Sequence, residues 1–269
     1  MAVAAAWAIR HHREQVGRRH QHRDPALIGA PGDGYTLLWA TPANAINATL
    51  YEALPVNFLR DTVPVAGLAR FALVLEVNPK VPATTVADFI AYARANPGKL
   101  SMASFGVGTP SHLAGELFKT MAGTKIVHVP YRGSAPAITD MMAGQTHAMF
   151  DNLTSSLPQI QSGGLRVLAV TTQAPSAMLP GIPTLSETLP GFEASGWSGI
   201  VAPRGTPPEI IERLHREVAA GLADPNVRAR LAEVGSTLMP MAPAEFGAFI
   251  AAETEKWGKV VKSSGAKAE

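Results

Sequence analysis

The chain has 269 residues, enough for two ordinary domains or one large one. Apolar residues make up 46% and charged residues 16%, there is no cysteine, and no apolar run is long enough to span a bilayer. A disulfide framework and a thiolate metal site are therefore excluded. The formal charge of +2 misleads, because five of the 23 basic residues but only two of the 21 acidic ones lie in residues 1–24, leaving the body at a net of −1. A near-neutral body offers no basic patch for nucleic acid.

The head differs from the body. Residues 10–23 carry five Arg and four of the eight His. Three readings fit: a His-rich metal tract or basic arm, a poor signal peptide whose basic cluster follows its apolar run, or residues foreign to the fold. The composition break favours the last.

From Pro31 onward, strand and helix alternate. A strand is expected over residues 35–40, then a polar loop over 41–47, then strands over 63–68 and 71–77. Thr85-Val-Ala-Asp88 reads as a capping box opening a helix that ends near Asn96-Pro97-Gly98. A strand at 100–103 leads to a helix at 110–122, and a strand at 126–129 to a helix at 135–143. A strand at 147–150, a helix at 153–161 and a strand at 166–171 follow. Residues 173–196 read as loop with one short helix near 184–188, and 198–202 as a strand. Thr206-Pro-Pro-Glu209 is a capping box for a helix over 207–222, Asp224-Pro225 caps another to about Val234, and Pro243 starts a third. That last helix carries Phe246, Phe249, Ile250, Trp257 and Val261 at helical spacing. Such alternation predicts an α/β protein with parallel strands, whose ligands sit at strand carboxyl ends.

Two of these units are alike. Gly106-Val-Gly-Thr-Pro-Ser111 and Tyr131-Arg-Gly-Ser-Ala-Pro136 each end a strand in Gly and Ser/Thr and open a helix with Pro. Thr109 and Ser134 can cap those helices, whose free N–H groups and dipole suit a small anion such as a carboxylate. Thr41, Ser104–Thr109, Tyr131–Ser134 and Asp151-Asn152 all fall at strand ends. Asp151 can accept from a ligand or cap the next helix. Arg132 can fork onto a ligand carboxylate or lie on the surface.

Catalytic and metal readings are weak. The first loop lacks the third glycine of a dinucleotide fingerprint, and Ser195-Gly-Trp-Ser-Gly199 lacks the spacing of a nucleophile elbow. His112 and Glu116 share a helix face as zinc ligands can, without a third ligand at matching spacing, and His128 reads as a hydrogen-bonded strand residue. No catalytic residue, metal or cofactor is expected.

Several ordered motifs carry a resemblance. They are His128-Val-Pro-Tyr-Arg-Gly-Ser-Ala-Pro-Ala-Ile-Thr-Asp140, Met149-Phe-Asp-Asn-Leu153 and Leu165-Arg-Val-Leu-Ala-Val-Thr171. With them go Asp33-Gly-Tyr-Thr-Leu-Leu38, Ala45-Ile-Asn47, Asn96-Pro-Gly-Lys-Leu100, Ser111-His-Leu-Ala-Gly-Glu-Leu-Phe118, Pro180-Gly-Ile-Pro-Thr184 and Ala202-Pro-Arg-Gly-Thr-Pro207. Over about residues 31–269 the chain resembles solute-binding proteins of tripartite tricarboxylate transporters, the Bordetella uptake gene family.

The resemblance implies a periplasmic, two-lobed type II "Venus flytrap" with mostly parallel sheets. Lobe I would be residues 31–75 and 197–269, lobe II residues 76–196, and residues 1–30 an atypical head. The partners implied are a small carboxylate or amino-acid solute and the membrane permease subunits, with the chain a monomer. Carried over, the solute-binding positions are Thr41 in lobe I, and Ser104, Gly106, Gly108, Thr109, Gly133, Ser134 and Asp151 in lobe II. Tyr131 joins them as a group setting selectivity, beside Phe105 and Val107. Family members begin with a signal peptide, a first strand, a Gly-rich loop and a helix. The head stands in their place, so the chain is expected to be truncated, to lack the first strand of lobe I, and to bind weakly or not at all. The alternative function is an enzyme acting on a small organic acid in the same cleft. An effector-sensing half of a transcription regulator would need a helix-turn-helix that the first 30 residues do not hold.

Overall fold

The computed structural model describes residue 27 and residues 29–51 and 57–267. The head, apart from residues 27, 29 and 30, lies outside them, and so do the expectations placed on it. Nine strands and nine α-helices are described. The first part of the chain runs β1 (Leu38–Ala40), α1 (Pro42–Leu50), α2 (Phe58–Asp61), β2 (Thr62–Phe71), β3 (Leu73–Val77), α3 (Val86–Ala95) and β4 (Ser101–Ser104). Then come α4 (Pro110–Ala122), β5 (Val127–Pro130), α5 (Ser134–Ala143), β6 (Ala148–Asn152), α6 (Leu153–Gln161) and β7 (Arg166–Val170). A 3-10 turn at Leu185–Glu187 precedes β8 (Gly196–Pro203), α7 (Pro208–Ala223), α8 (Pro225–Glu233), β9 (Ser236–Met241) and α9 (Pro243–Ser264).

The strands form two sheets, of order β1-β8-β2-β9 and β5-β4-β6-β3-β7. The expectation of mostly parallel sheets needs correction. Every pairing in the first sheet is antiparallel. In the second, β4 pairs in parallel with β5 and β6, while β3 lies antiparallel between β6 and β7. The cause is the path of the chain. Strands β4 to β7 are joined by helices and all point one way, as helical connections require. Strand β3 enters from the other sheet, one residue after β2, and so runs against them. Strand β8 returns from the second sheet and runs against β1 and β2.

Local signals set most helix ends. Thr85 Oγ1 accepts from the Asp88 amide at 3.1 Å, and Asp88 Oδ2 from the Thr85 amide at 3.0 Å, completing the expected box. Asp224 Oδ1 accepts from Asn226 N at 2.7 Å at the start of α8. Helices α4 and α5 stop at Gly123 and Gly144, which hold φ of 60° and 83°.

Three expectations differ. Residues 42–50, expected to begin as a polar loop, form α1, because Asn44 turns back to the Thr41 amide (2.9 Å) while Ala45, Ile46 and Leu50 bury on one side. Thr206 does not cap α7; its hydroxyl donates to the Pro203 carbonyl at 2.8 Å and the helix starts at Pro208. Strand β9 was not expected, since residues 236–241 show no clean alternation and its place comes from pairing with β2.

The main core joins both sheets. Ile46 of α1, Trp197 of β8 and Phe246 and Trp257 of α9 belong to the same buried cluster as Leu73, Leu75, Phe118 and Phe150. The two glycines flanking Trp197 and Ser198 are packing positions. A Cβ on Gly196 would overlap the Phe71 ring; one on Gly199 would overlap the Phe246 ring and sit 2.8 Å from the Ala66 carbonyl oxygen. Gly199→Ala should therefore cost about 1–3 kcal/mol by overpacking, read as a lower urea midpoint with unchanged slope.

Candidate solute-binding site

The carboxyl ends of β4, β5 and β6 bring together the eight residues expected in lobe II. The Tyr131 amide donates to the Ser104 carbonyl at 2.9 Å, and the Gly133 amide to the Phe105 carbonyl at 3.3 Å, so the two Gly-containing loops lie side by side. Gly106, Gly108 and Gly133 hold φ of 142°, 74° and 104°, which only glycine adopts freely. Thr109 caps α4, accepting from the His112 amide at 3.4 Å and donating to the Gly106 carbonyl at 2.6 Å. Ser134 does not cap α5. Gly133 is the N-cap, and the Ser134 hydroxyl instead donates to Asp151 Oδ1 at 2.6 Å. Asp151 is fully buried and also receives the Ser156 hydroxyl on Oδ2 at 3.2 Å. Burial pushes its carboxyl up to about 6, with Ser134, the Asn152 amide and Ser156 favouring the charged form.

The side chains of Ser104 and Tyr131 turn elsewhere. Ser104 is buried and its Oγ lies 2.7 Å from His128 Nε2. The Tyr131 hydroxyl donates to Asp140 Oδ2 at 2.8 Å; burial and that carboxylate push the phenol up to about 12. Arg132 is exposed.

The facing wall is α1. A Cβ on Gly108 would lie 2.9 Å from both Asn47 Oδ1 and Leu50 Cδ2, so loop 105–109 already rests on this helix. Asn47 is 7% exposed, and its Oδ1 has no hydrogen-bond partner. Thr41, the lobe I candidate, sits at the other end of α1 and shares Asn44 Oδ1 through its amide and hydroxyl. At 1.5 Å per residue it is about 9 Å along the helix from Asn47. Asn47 is the residue sequence reasoning missed, although Ala45-Ile-Asn47 was among the family motifs. Its helical setting, and hence its direction, was hidden by reading a loop.

The structure also supplies the third group that spacing could not. His112, Glu116 and His128 bring ligand-type atoms within 4.8 Å of one another. The imidazoles stack at 4.0 Å with planes 13° apart. The hydrogen bonds of His112 and Glu116 oppose a metal. The Gly108 amide donates to His112 Nδ1 at 3.2 Å, which fixes the ring proton on Nε2, toward Glu116. Lys119 Nζ holds Glu116 Oε1 at 2.6 Å. Burial and the neighbouring His112 push His128 down to about 3, so it stays neutral. This cluster is a hydrogen-bonded strut beneath loop 104–109.

Two sheets exchanging the chain twice, with paired Gly loops facing a helix of the other sheet, define a two-lobed solute-binding protein. The family model for the tripartite tricarboxylate transporter family receptor matches residues 26–266, and the chain belongs to this family. It is 37% identical to protein BugT of Bordetella pertussis over 245 residues, spanning 90% of this chain and 75% of BugT. A protein of the tcbD-tcbE intergenic region of Pseudomonas sp. P51 is 38% identical over 234 residues, 86% of this chain and 70% of that one. Among solved structures, R. palustris Rpa4515 with adipate superposes with a TM-score of 0.82 at 38% identity, covering 90% of this chain and 82% of that one. MatC from Rhodopseudomonas palustris with bound malate superposes with a TM-score of 0.78 at 26% identity, covering 88% and 82%.

Proposed function

We propose that this chain captures a small carboxylate-bearing solute in the periplasm and delivers it to the permease subunits of a tripartite tricarboxylate-type transporter. The division into lobes, residues 31–75 and 197–269 against 76–196, is supported by the two passages of the chain between the sheets, at Ala72 and through residues 171–195. The solute sits between α1 and the two Gly loops, its carboxylate toward the first turns of α4 and α5, whose amides have no partner within their own helix. One observation carries this reading: the two paired Gly loops that open α4 and α5 meet α1 of the other sheet, at Gly108 against Asn47 and Leu50. The walls already touch at Gly108; hinge opening would admit the solute, and the ligand would then select the closed arrangement.

For the enzymatic alternative, the Ser–His pair at the loops is Ser104 with His128 at 2.7 Å. That Ser is fully buried and that His, held at about 3, is a poor base near neutral pH. The family is a transporter receptor family, and two neighbours hold adipate and malate.

The test is a thermal-shift screen against dicarboxylates, tricarboxylates, amino acids and aromatic acids, with adipate first because Rpa4515 holds it. At a hundredfold excess over Kd the expected stabilisation is about 2.7 kcal/mol, a rise of several degrees in Tm. A clear shift overturns the expectation that this chain binds weakly or not at all; no shift with any carboxylate bears that expectation out and overturns capture by this chain.

A further inference from the structure

Behind Ser134 lies a second acid that the capture role does not use. Glu76, on β3, is fully buried, and neither of its carboxyl oxygens has a hydrogen-bond partner. In the register of β3 and β6, Glu76 faces Met149 and Val74 faces Asp151. Glu76 and Asp151 are therefore diagonal neighbours on one face of the sheet. Two dry carboxyl groups this close cannot both ionise without a counter-charge.

No counter-charge faces the pair among the described residues packed against β3 and β6. On β7, Arg166 pairs with Val77, on the other face from Glu76, and donates to the Val81 and Ala83 carbonyls. Strand β3 brings Glu76 and β4 has no titratable side chain. From α4, His112 and Glu116 are engaged with each other and with Lys119. From α5, Asp140 holds Tyr131, and α6 offers only the Ser156 hydroxyl.

We propose that the site takes its carboxylate solute together with one proton, which neutralises the Asp151–Glu76 pair as the solute anion arrives. This rests on the receptor reading. Asp151 is coupled to the first residue of α5 by the Ser134 hydroxyl at 2.6 Å. A solute carboxylate seated on that helix start is placed beside Asp151 in a region closed to water. Like charges there repel, and the cheapest relief is proton uptake from solvent. Glu76 keeps its own proton, since burial and then the Asp151 charge raise its carboxyl well above the usual range, against a smaller lowering by the nearby Ser156 hydroxyl. Asp151, already raised by burial to about 6, is the group that gains one. The approaching anion lifts it further, so uptake occurs above pH 6.

The experiment is calorimetric titration of the full chain with adipate near pH 7.5 in two buffers, phosphate and Tris, of small and large ionisation enthalpy. The buffer difference counts protons. The expected count approaches one for the wild type and falls to near zero for Asp151→Asn. Because Asp151→Asn can misfold, the wild type supplies a second readout. Its affinity should fall about tenfold per pH unit above Asp151's titration, while adipate itself remains fully ionised. Binding with no proton uptake and no pH dependence overturns the proposal and leaves the receptor reading intact. Proton release on binding also overturns it, and marks Asp151 as the partner of a cationic solute group. Absence of heat with any carboxylate overturns both.

Discussion

Replacing Glu253 by alanine is expected to destabilise the protein by about 3–5 kcal/mol. Glu253 sits on α9 and is 7% exposed. Its Oε2 accepts from Trp197 Nε1 and Trp257 Nε1, each at 3.0 Å, and its Oε1 from the Lys256 ammonium. Both indoles are buried, at 1% and 0% exposure. Truncation leaves two N–H groups dry and unpaired, and unpaired buried donors cost more than the bonds contributed. The loss would be felt in both sheets. Lys256 also holds Glu193 Oε2 at 2.7 Å, tying the end of the segment returning from the second sheet to α9. Urea unfolding followed by tryptophan fluorescence reads the effect, and Glu253→Gln, which keeps one acceptor, should recover about half of it. A loss below about 1 kcal/mol for Glu253→Ala would mean that the indoles find other partners.

The second large effect is on binding. Gly108→Ala should weaken adipate binding at least tenfold while costing about 1–2 kcal/mol of stability for the left-handed conformation alone. Gly108 holds φ of 74°, and its added methyl would meet Asn47 Oδ1 and Leu50 Cδ2 at 2.9 Å. The methyl pushes the loop off α1, separating the two walls between which the solute is placed. Calorimetry beside urea unfolding separates the two consequences. A variant of lowered stability with unchanged affinity would show that the loop–α1 contact plays no part in closure. Asn47→Ala is the companion variant: it removes the amide and leaves the backbone relaxed, so it should lower affinity without the conformational cost.

Much of this molecule could be read along the chain. The helix starts at Thr85, Thr109 and Asp224 and the stops at Gly123 and Gly144 follow from caps and left-handed glycines, which are local chemistry. The strand–loop–helix units around Gly106 and Gly133 were legible for the same reason, and so was the apolar stripe of α9. The family motifs gave the two-lobed class. Two of the misreadings, strand β9 and helix α1, share a cause, a deciding partner distant in sequence, whereas Thr206 turns to the Pro203 carbonyl three residues away. Residues 41–47 read as a polar loop because Asn44 and Asn47 look like turn residues, and only burial against α9 and β8 reveals the helix over 42–50.

The sequence by itself determined most helix starts and stops, the pairing of two anion-suited loops and the family, because each rests on contacts within a few residues or on ordered motifs. Only the tertiary structure decided strand direction, because β3 and β8 are placed by passage between sheets rather than by their own residues. It alone joined His128 to His112 and Glu116. It alone set Asn47 against Gly108 and Glu76 behind Asp151, since burial and the loss of water are properties of the packed molecule.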